Sequence, residues 1–112
     1  MSEYDTGRYY DRQGNVISLF QWATLRETPD YFRIAEDYIG LAEGGMDRVS
    51  TVWLGLNHNF WGGPPLIFET MIFWFWPDQH EEDQDQWRYP TEEAALAGHD
   101  QVVAMLKDRA GV

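Results

Sequence analysis

The sequence predicts an α+β fold, an antiparallel sheet of about four to five strands packed by a short N-terminal helix and a C-terminal helix. Residues 48–56 and 66–76 are rich in β-branched and aromatic side chains and apolar on both faces, as central strands are. A polar loop containing Gly62, Gly63, Pro64 and Pro65 joins them. Behind Thr91, apolar positions recur every three or four residues, the period of a helix with one buried stripe.

Residues 8–17, RYYDRQGNVI, place β-prone residues on either side of Asp11-Arg12-Gln13-Gly14, where Gly14 supplies the positive φ of a type I turn with a bulge, so a hairpin is expected. Ser18 and Gln21 then form the S-x-x-Q pattern of a reciprocal capping box, and Ile17 and Trp22 have the spacing of a hydrophobic staple. The expected helix runs from 19 to about 27. It ends at Thr28-Pro29-Asp30, because a residue before proline is pushed out of the α region. In residues 31–39, Phe32, Ile34 and Tyr38 alternate with Arg33, Ala35 and Asp37; the central Ala35-Glu36 also suits a helix, and the alternation favours a strand.

Residues 40–45, GLAEGG, read as a flexible turn. Along 48–56, Val49, Thr51, Trp53 and Gly55 share one face, with Ser50, Val52, Leu54 and Leu56 on the other. The paired prolines precede the next strand, where missing amide donors do least harm. The run 77–86, PDQHEEDQDQ, has too much like charge and too little apolar matter to pack, and reads as a solvated loop. Trp87-Arg88-Tyr89 reads as a short edge strand. Thr91 caps the C-terminal helix, with Glu92 and Glu93 at the positive end of its dipole and Lys107 and Arg109 near the negative end. Leu96, His99, Val103 and Leu106 mark its expected buried face.

With 112 residues the chain is expected to form a single domain, 1–112, with a core that needs no metal or disulfide staple. The absence of cysteine excludes a disulfide, a thiolate zinc site and a cysteine nucleophile, and suits a reducing cytoplasm. The first residues lack a basic segment followed by an apolar run, and the longest apolar segment is interrupted by Glu69, so neither export nor membrane insertion is expected. A formal net charge of −11 argues against direct nucleic-acid binding, where affinity comes from Lys and Arg displacing counterions. The charge serves solubility, or else it marks a surface that docks on a basic protein or mimics DNA.

Two residue sets are candidates for chemistry or recognition. His58, Glu69 and His99, with Asn57 and Asn59 beside them, supply imidazoles and a carboxylate that would bind a divalent metal or share acid and base roles if they converged. They lie on separate elements, so the competing reading is a loop histidine satisfying backbone groups, a boundary histidine with one bonded nitrogen, and a carboxylate paired with Arg88 or Arg33. The glycine–proline loop lacks the lysine and hydroxyl of a phosphate loop, and no G-x-S-x-G elbow is present. No motif calls for a cofactor or a resident metal. The second set is aromatic and acidic: Trp61, Trp74, Trp76 and Trp87 flank loops, and Glu81, Glu82, Asp83 and Asp85 supply a charged rim. Such rings either cover one sheet face beneath helices or form an interface hot spot.

The blocks YYDRQGN, VSTVWLGLNHNF, GGPPLIFETMIF and WRYPTEEAALAGH together resemble a family of small proteins encoded by actinobacterial phages and prophages, a family with no assigned activity. The resemblance covers most of the chain, while Phe73-Trp74-Phe75-Trp76 and the acidic run after them depart from the shorter, glycine-containing connection of the family. It implies a phage-type origin and a site of action in the cytoplasm of a bacterial host. The leading expectation is a non-enzymatic module that binds a host, defence-system or phage protein with a basic surface. A small metal-assisted hydrolase or ligand-binding protein using His58, Glu69 and His99 is the second expectation. A self-associating virion or assembly component, in which the chain forms a homodimer, is the third.

Overall fold

A computed structural model of the chain describes residues 8–42, 44–59, 62–75 and 81–111, of residues 81–84 the backbone alone. Strands β1 (Tyr9–Tyr10) and β2 (Val16–Ile17) form the expected hairpin. Its turn is organised by Asp11, whose Oδ1 accepts from the amides of Gln13 at 3.0 Å and Asn15 at 2.8 Å, and by Gly14 at φ 89°. Helix α1 (Leu19–Arg26) starts on both halves of the capping box: Ser18 Oγ accepts from the Gln21 amide at 3.1 Å, and Gln21 Oε1 from the Ser18 amide at 2.9 Å.

Pro29 both ends one helix and starts another. Its fixed φ suits a first helical position, so Pro29–Phe32 form a short helix, α2, where a strand from residue 31 is expected from the alternation. The strand, β3 (Arg33–Gly40), begins only afterwards. With β4 (Met46–Trp53), β5 (Phe68–Phe75) and β6 (Glu81–Tyr89) it forms a four-stranded antiparallel sheet in the order β3-β4-β5-β6. Residues 81–86 therefore belong to a strand and not to a solvated loop. They pair with the aromatic end of β5, Phe75 opposite Glu81 and Trp74 opposite Glu82, across an irregularity between Met71 and Phe73. An edge strand bonds on one side only and tolerates charge, which there also blunts edge-to-edge aggregation.

At the far end of the sheet β4 passes into Leu54 and Gly55, whose amides bond the Ile67 carbonyl, and Gly55 returns a bond to the Tyr10 amide at 2.8 Å. Gly55 sits at φ 71°, and a Cβ there would fall on the rings of Trp53 and Trp22, so glycine is required twice over. Through this junction and a Tyr9–Leu56 bridge the hairpin is fastened to the sheet. Helix α1 lies against β1 and α2 at the sheet's end, donating from Trp22 Nε1 to the Leu54 carbonyl at 2.8 Å and from Arg26 to the Trp53 carbonyl at 2.6 Å. Both expected helices pack on the sheet, at different places: Trp22 and Leu25 of α1 pack on the cluster around Trp53 at that end, and the length of the sheet packs against the C-terminal helix.

That helix, α3 (Glu92–Ala110), crosses all four strands. Thr91 caps it by accepting from the Ala94 amide, and Gly111 closes it at φ 77°. Its buried stripe is Ala95, His99, Val102 and Leu106; Leu96, expected on that face, is exposed, because the 4-3-4 spacing is phased one residue earlier than the leucines suggest. The core divides into two apolar clusters. Val49, Ile72, Ile39, Val102 and Leu106 form one, and Trp53, Ile67, Phe68 and Ala95 the other. At Gly98 a Cβ would collide with the ring of Tyr89, so the glycine lets α3 lie close on β6.

One surface ion pair joins the distant parts. Arg12 Nε and the terminal Nη2 each donate at 2.7 Å to the two carboxylate oxygens of Glu92, at the start of α3, while Nη1 reaches the Tyr31 carbonyl at 3.2 Å. The Arg12 hydrogen bond holds the Glu92 carboxyl below its ordinary pKa, and the same bond raises that of Arg12. A carboxyl lowered on folding stabilises above its unfolded pKa, and that contribution is lost as pH falls through the folded value. Arg12→Ala is therefore expected to return Glu92 to the ordinary range in a carbon-detected NMR titration. The variant should lose about 1 kcal/mol or less of stability at neutral pH, the ion-pair part of that loss vanishing in acid.

Candidate functional site

Between the two apolar clusters lies a polar layer. His99, 2% exposed, presents both ring nitrogens to the sheet: Nε2 is 2.7 Å from Asp37 Oδ2 on β3, and Nδ1 is 2.7 Å from Thr51 Oγ1 on β4. Thr51 Oγ1 is in turn 2.5 Å from Thr70 Oγ1 on β5. Register explains the chain of contacts: Thr51 and Thr70 are directly opposed across β4 and β5, and Asp37 is opposed to Val49. With the imidazole neutral, Nε2–H donates to the Asp37 carboxylate, Nδ1 accepts from Thr51, and Thr51 accepts from Thr70, so both ring nitrogens and both hydroxyls have a partner.

A carboxylate, an imidazole and a hydroxyl in this order are the parts that activate an oxygen nucleophile. Here the hydroxyls of Thr51 and Thr70 are sealed beneath α3 with no exposed surface, and the solvent-facing member is Asp37. The row works as a lock that holds α3 at one height on the sheet.

The other two members of the expected trio lie elsewhere. Glu69 follows Phe68 and precedes Thr70, so alternation puts it on the opposite face of the sheet from His99. There its Oε2 accepts from Arg88 Nε at 3.1 Å, its register partner on β6, which answers the cost of a mostly buried carboxylate. His58 sits in the loop after β4 with Nδ1 2.8 Å from the Leu56 carbonyl. Asn57 organises the same loop, its Oδ1 accepting from the amides of Asn59 and Leu66, and Asn59 Nδ2 donates to the Pro64 carbonyl. His58, Glu69 and His99 are therefore not brought together. Among the described residues no group of three or more histidine, aspartate and glutamate side chains is placed to hold a metal.

Of the aromatic and acidic set, Trp87 is half-buried against the cluster under α3, and Trp74 is half-buried beside Asp47, Leu106 and Arg109 in a cavity of about 350 Å³ at the end of that helix. Asp85 is exposed on β6. Trp61 and Trp76, and the side chains of Glu81, Glu82 and Asp83, lie outside the described residues. On the sheet face away from α3 lie three aromatics outside the candidate set, Tyr38, Phe73 and Phe75, with Met71 and Val52 further along the same face. Tyr38 is 57% exposed, and its hydroxyl donates to Glu36 at 2.5 Å, a bond that raises the phenol's pKa. Arg48 lies 4.6 Å over the Phe73 ring and 3.7 Å from Glu36. No helix of the described residues is long and apolar enough to cross a membrane.

Comparison of the chain with models of protein families, with curated proteins and with solved structures gives no match.

Thr51→Val leaves the buried His99 Nδ1 without a donor and is expected to cost about 1–3 kcal/mol in chemical denaturation. The triple variant Thr51→Val/Thr70→Val/His99→Leu, which makes the layer apolar throughout, should recover most of that loss; strictly additive losses would show that the row does not act as a unit.

Proposed function

We propose that the chain is a non-enzymatic protein-binding module, a small accessory protein of phage type that acts in the bacterial cytoplasm on a host, defence-system or phage protein with a basic surface. The observation that carries this reading is the sheet's second face: α3 covers one face, and among the described residues the other presents Tyr38, Val52, Met71, Phe73 and Phe75 around the pairs Glu36–Arg48 and Glu69–Arg88. Aromatic rings, methionine and arginine are the residues enriched in protein interfaces. The acidic stretch of β6 borders that face along one edge, with Phe73 opposite Asp83 and Phe75 opposite Glu81 in register. A net charge of −11 steers a basic partner towards it and sets the salt dependence of the encounter. The hydrolase reading is not favoured, because its three residues are held apart and the hydroxyls beside His99 are sealed.

The test is affinity capture from an actinobacterial lysate, followed by calorimetry on the purified captured protein. Tyr38→Ala/Met71→Ala should weaken binding at least about tenfold with an unchanged circular dichroism spectrum, and raising salt from about 50 to about 500 mM should weaken it further. A captured protein indifferent to both changes, or no capture by the folded chain, contradicts the reading.

A further inference from the structure

His99 is the one titratable residue on the buried stripe of α3, and its proton sets the direction of the whole row. With the ring neutral, hydrogens run from Thr70 to Thr51 to Nδ1. A protonated ring donates from both nitrogens. Nδ1–H then points at Thr51, Thr51 turns its hydrogen to Thr70, and the Thr70 hydrogen has to leave the row.

Protons reach the row through Asp37, its solvent-facing member at 55% exposure. The Asp37 carboxylate, 2.7 Å from Nε2, is the counter-charge that a buried imidazolium needs. A second proton, taken up by that carboxylate, leaves an imidazolium enclosed with no anion beside it. The other ionisable groups around α3 do not replace it. On the same face, β4 carries Asp47, four residues and about 13 Å along the strand from Thr51. β5 has no ionisable residue on that face, and β6 has Tyr89, whose ring lies against Gly98, and Glu82, opposite Trp74 at the far end of the sheet. Glu93, Asp100, Lys107, Asp108 and Arg109 of α3 are exposed, and neither ring nitrogen is bonded to any of these groups. Once α3 lifts, ring and carboxylate both reach water and take up both protons freely, so acid favours the lifted form.

The two halves of α3 are held differently. Beyond His99, Val102 and Leu106 complete the cluster of Ile39, Val49 and Ile72. Before it, Ala95 sits in the Trp53 cluster, which the hairpin, α1 and α2 also pack, and Glu92 is held by Arg12. That hydrogen bond lowers the Glu92 carboxyl below its ordinary range, so the pair is lost only as pH falls through the lowered value. Acid does not unwind α3 itself, because protonating Asp108 removes a charge that is unfavourable at the negative end of the helix.

We propose that Asp37, His99 and Thr51 form an acid-released latch: double protonation of the Asp37–His99 pair frees the second half of α3 from the sheet, with Ala95 as the hinge and the strands still paired. This goes beyond the binding reading and does not depend on it, since the latch lies on the opposite sheet face from Tyr38 and Phe73.

The test is amide hydrogen exchange by NMR on the full chain, expressed as protection factors at about pH 6.5 and about pH 4. Residues 102–110 should lose at least about tenfold in protection in acid while the amides of β4 and β5 keep theirs. Asp37→Asn retains an oxygen for Nε2–H and no charge, so the ring has no counter-charge in any protonation state and release should begin at least about one pH unit higher. Thr51→Val/Thr70→Val/His99→Leu removes the titrating ring and should make protection in α3 independent of pH; Asp37→Asn decides alone if that variant does not fold. Unchanged protection of residues 102–110 in acid, an equal loss in β4 and β5, an unmoved release pH in Asp37→Asn, or a folded triple variant as acid-sensitive as the parent chain overturns the proposal.

Discussion

The imidazole of His99 is enclosed between α3 and the sheet, and its two nitrogens are committed to groups on different strands. That arrangement allows little variation: sliding α3 by one turn, about 5.4 Å, would bury the ring against an apolar cluster and strand the hydroxyls of Thr51 and Thr70. Apolar packing alone is permissive about register, whereas a fully satisfied polar row between two apolar clusters has one solution. The rest of the architecture follows from it. One helix of 19 residues spans the four strands, the hairpin and α1 are left to close the sheet's end, and Arg12 reaches Glu92 only because α3 starts where it does.

Among the described residues one helix, α3, runs along the sheet, and on the sheet's other face side chains partner one another. Glu69 is paired by Arg88, and Arg48 lies over Phe73, so charged and aromatic groups shield one another. The acidic edge strand disfavours extension of the sheet by pairing with another strand.

Much of the fold is legible in the sequence. The α+β class, the hairpin, the Ser18 capping box and the two central strands rest on local rules that the structure obeys. The departures have physical causes. Pro29 serves as a helix start as readily as a helix stop, and only packing decides. The acidic run of β6 is unfavourable as a core strand and tolerable as an edge strand, and its place in the sheet depends on β5 across the hairpin. Leu96 misleads because leucine is read as buried, whereas Ala95 and Gly98 let α3 approach the sheet closely. Of the polar layer only His99 stands out in sequence, because Asp37, Thr51 and Thr70 come from three other elements and each is unremarkable alone. The second sheet face is also hard to read: the central strands are apolar on both faces in sequence, and alternation alone does not say which face α3 packs on.

The most direct measurement is hydroxyl-radical footprinting of the isolated chain, read residue by residue by mass spectrometry. A sheet covered on one face predicts rapid oxidation of Tyr38, Met71, Phe73 and Phe75 together with protection of Trp53, Phe68 and Ile72. Equal protection of both sets in the monomeric chain would mean that the second face is covered by the chain itself, and would contradict the account.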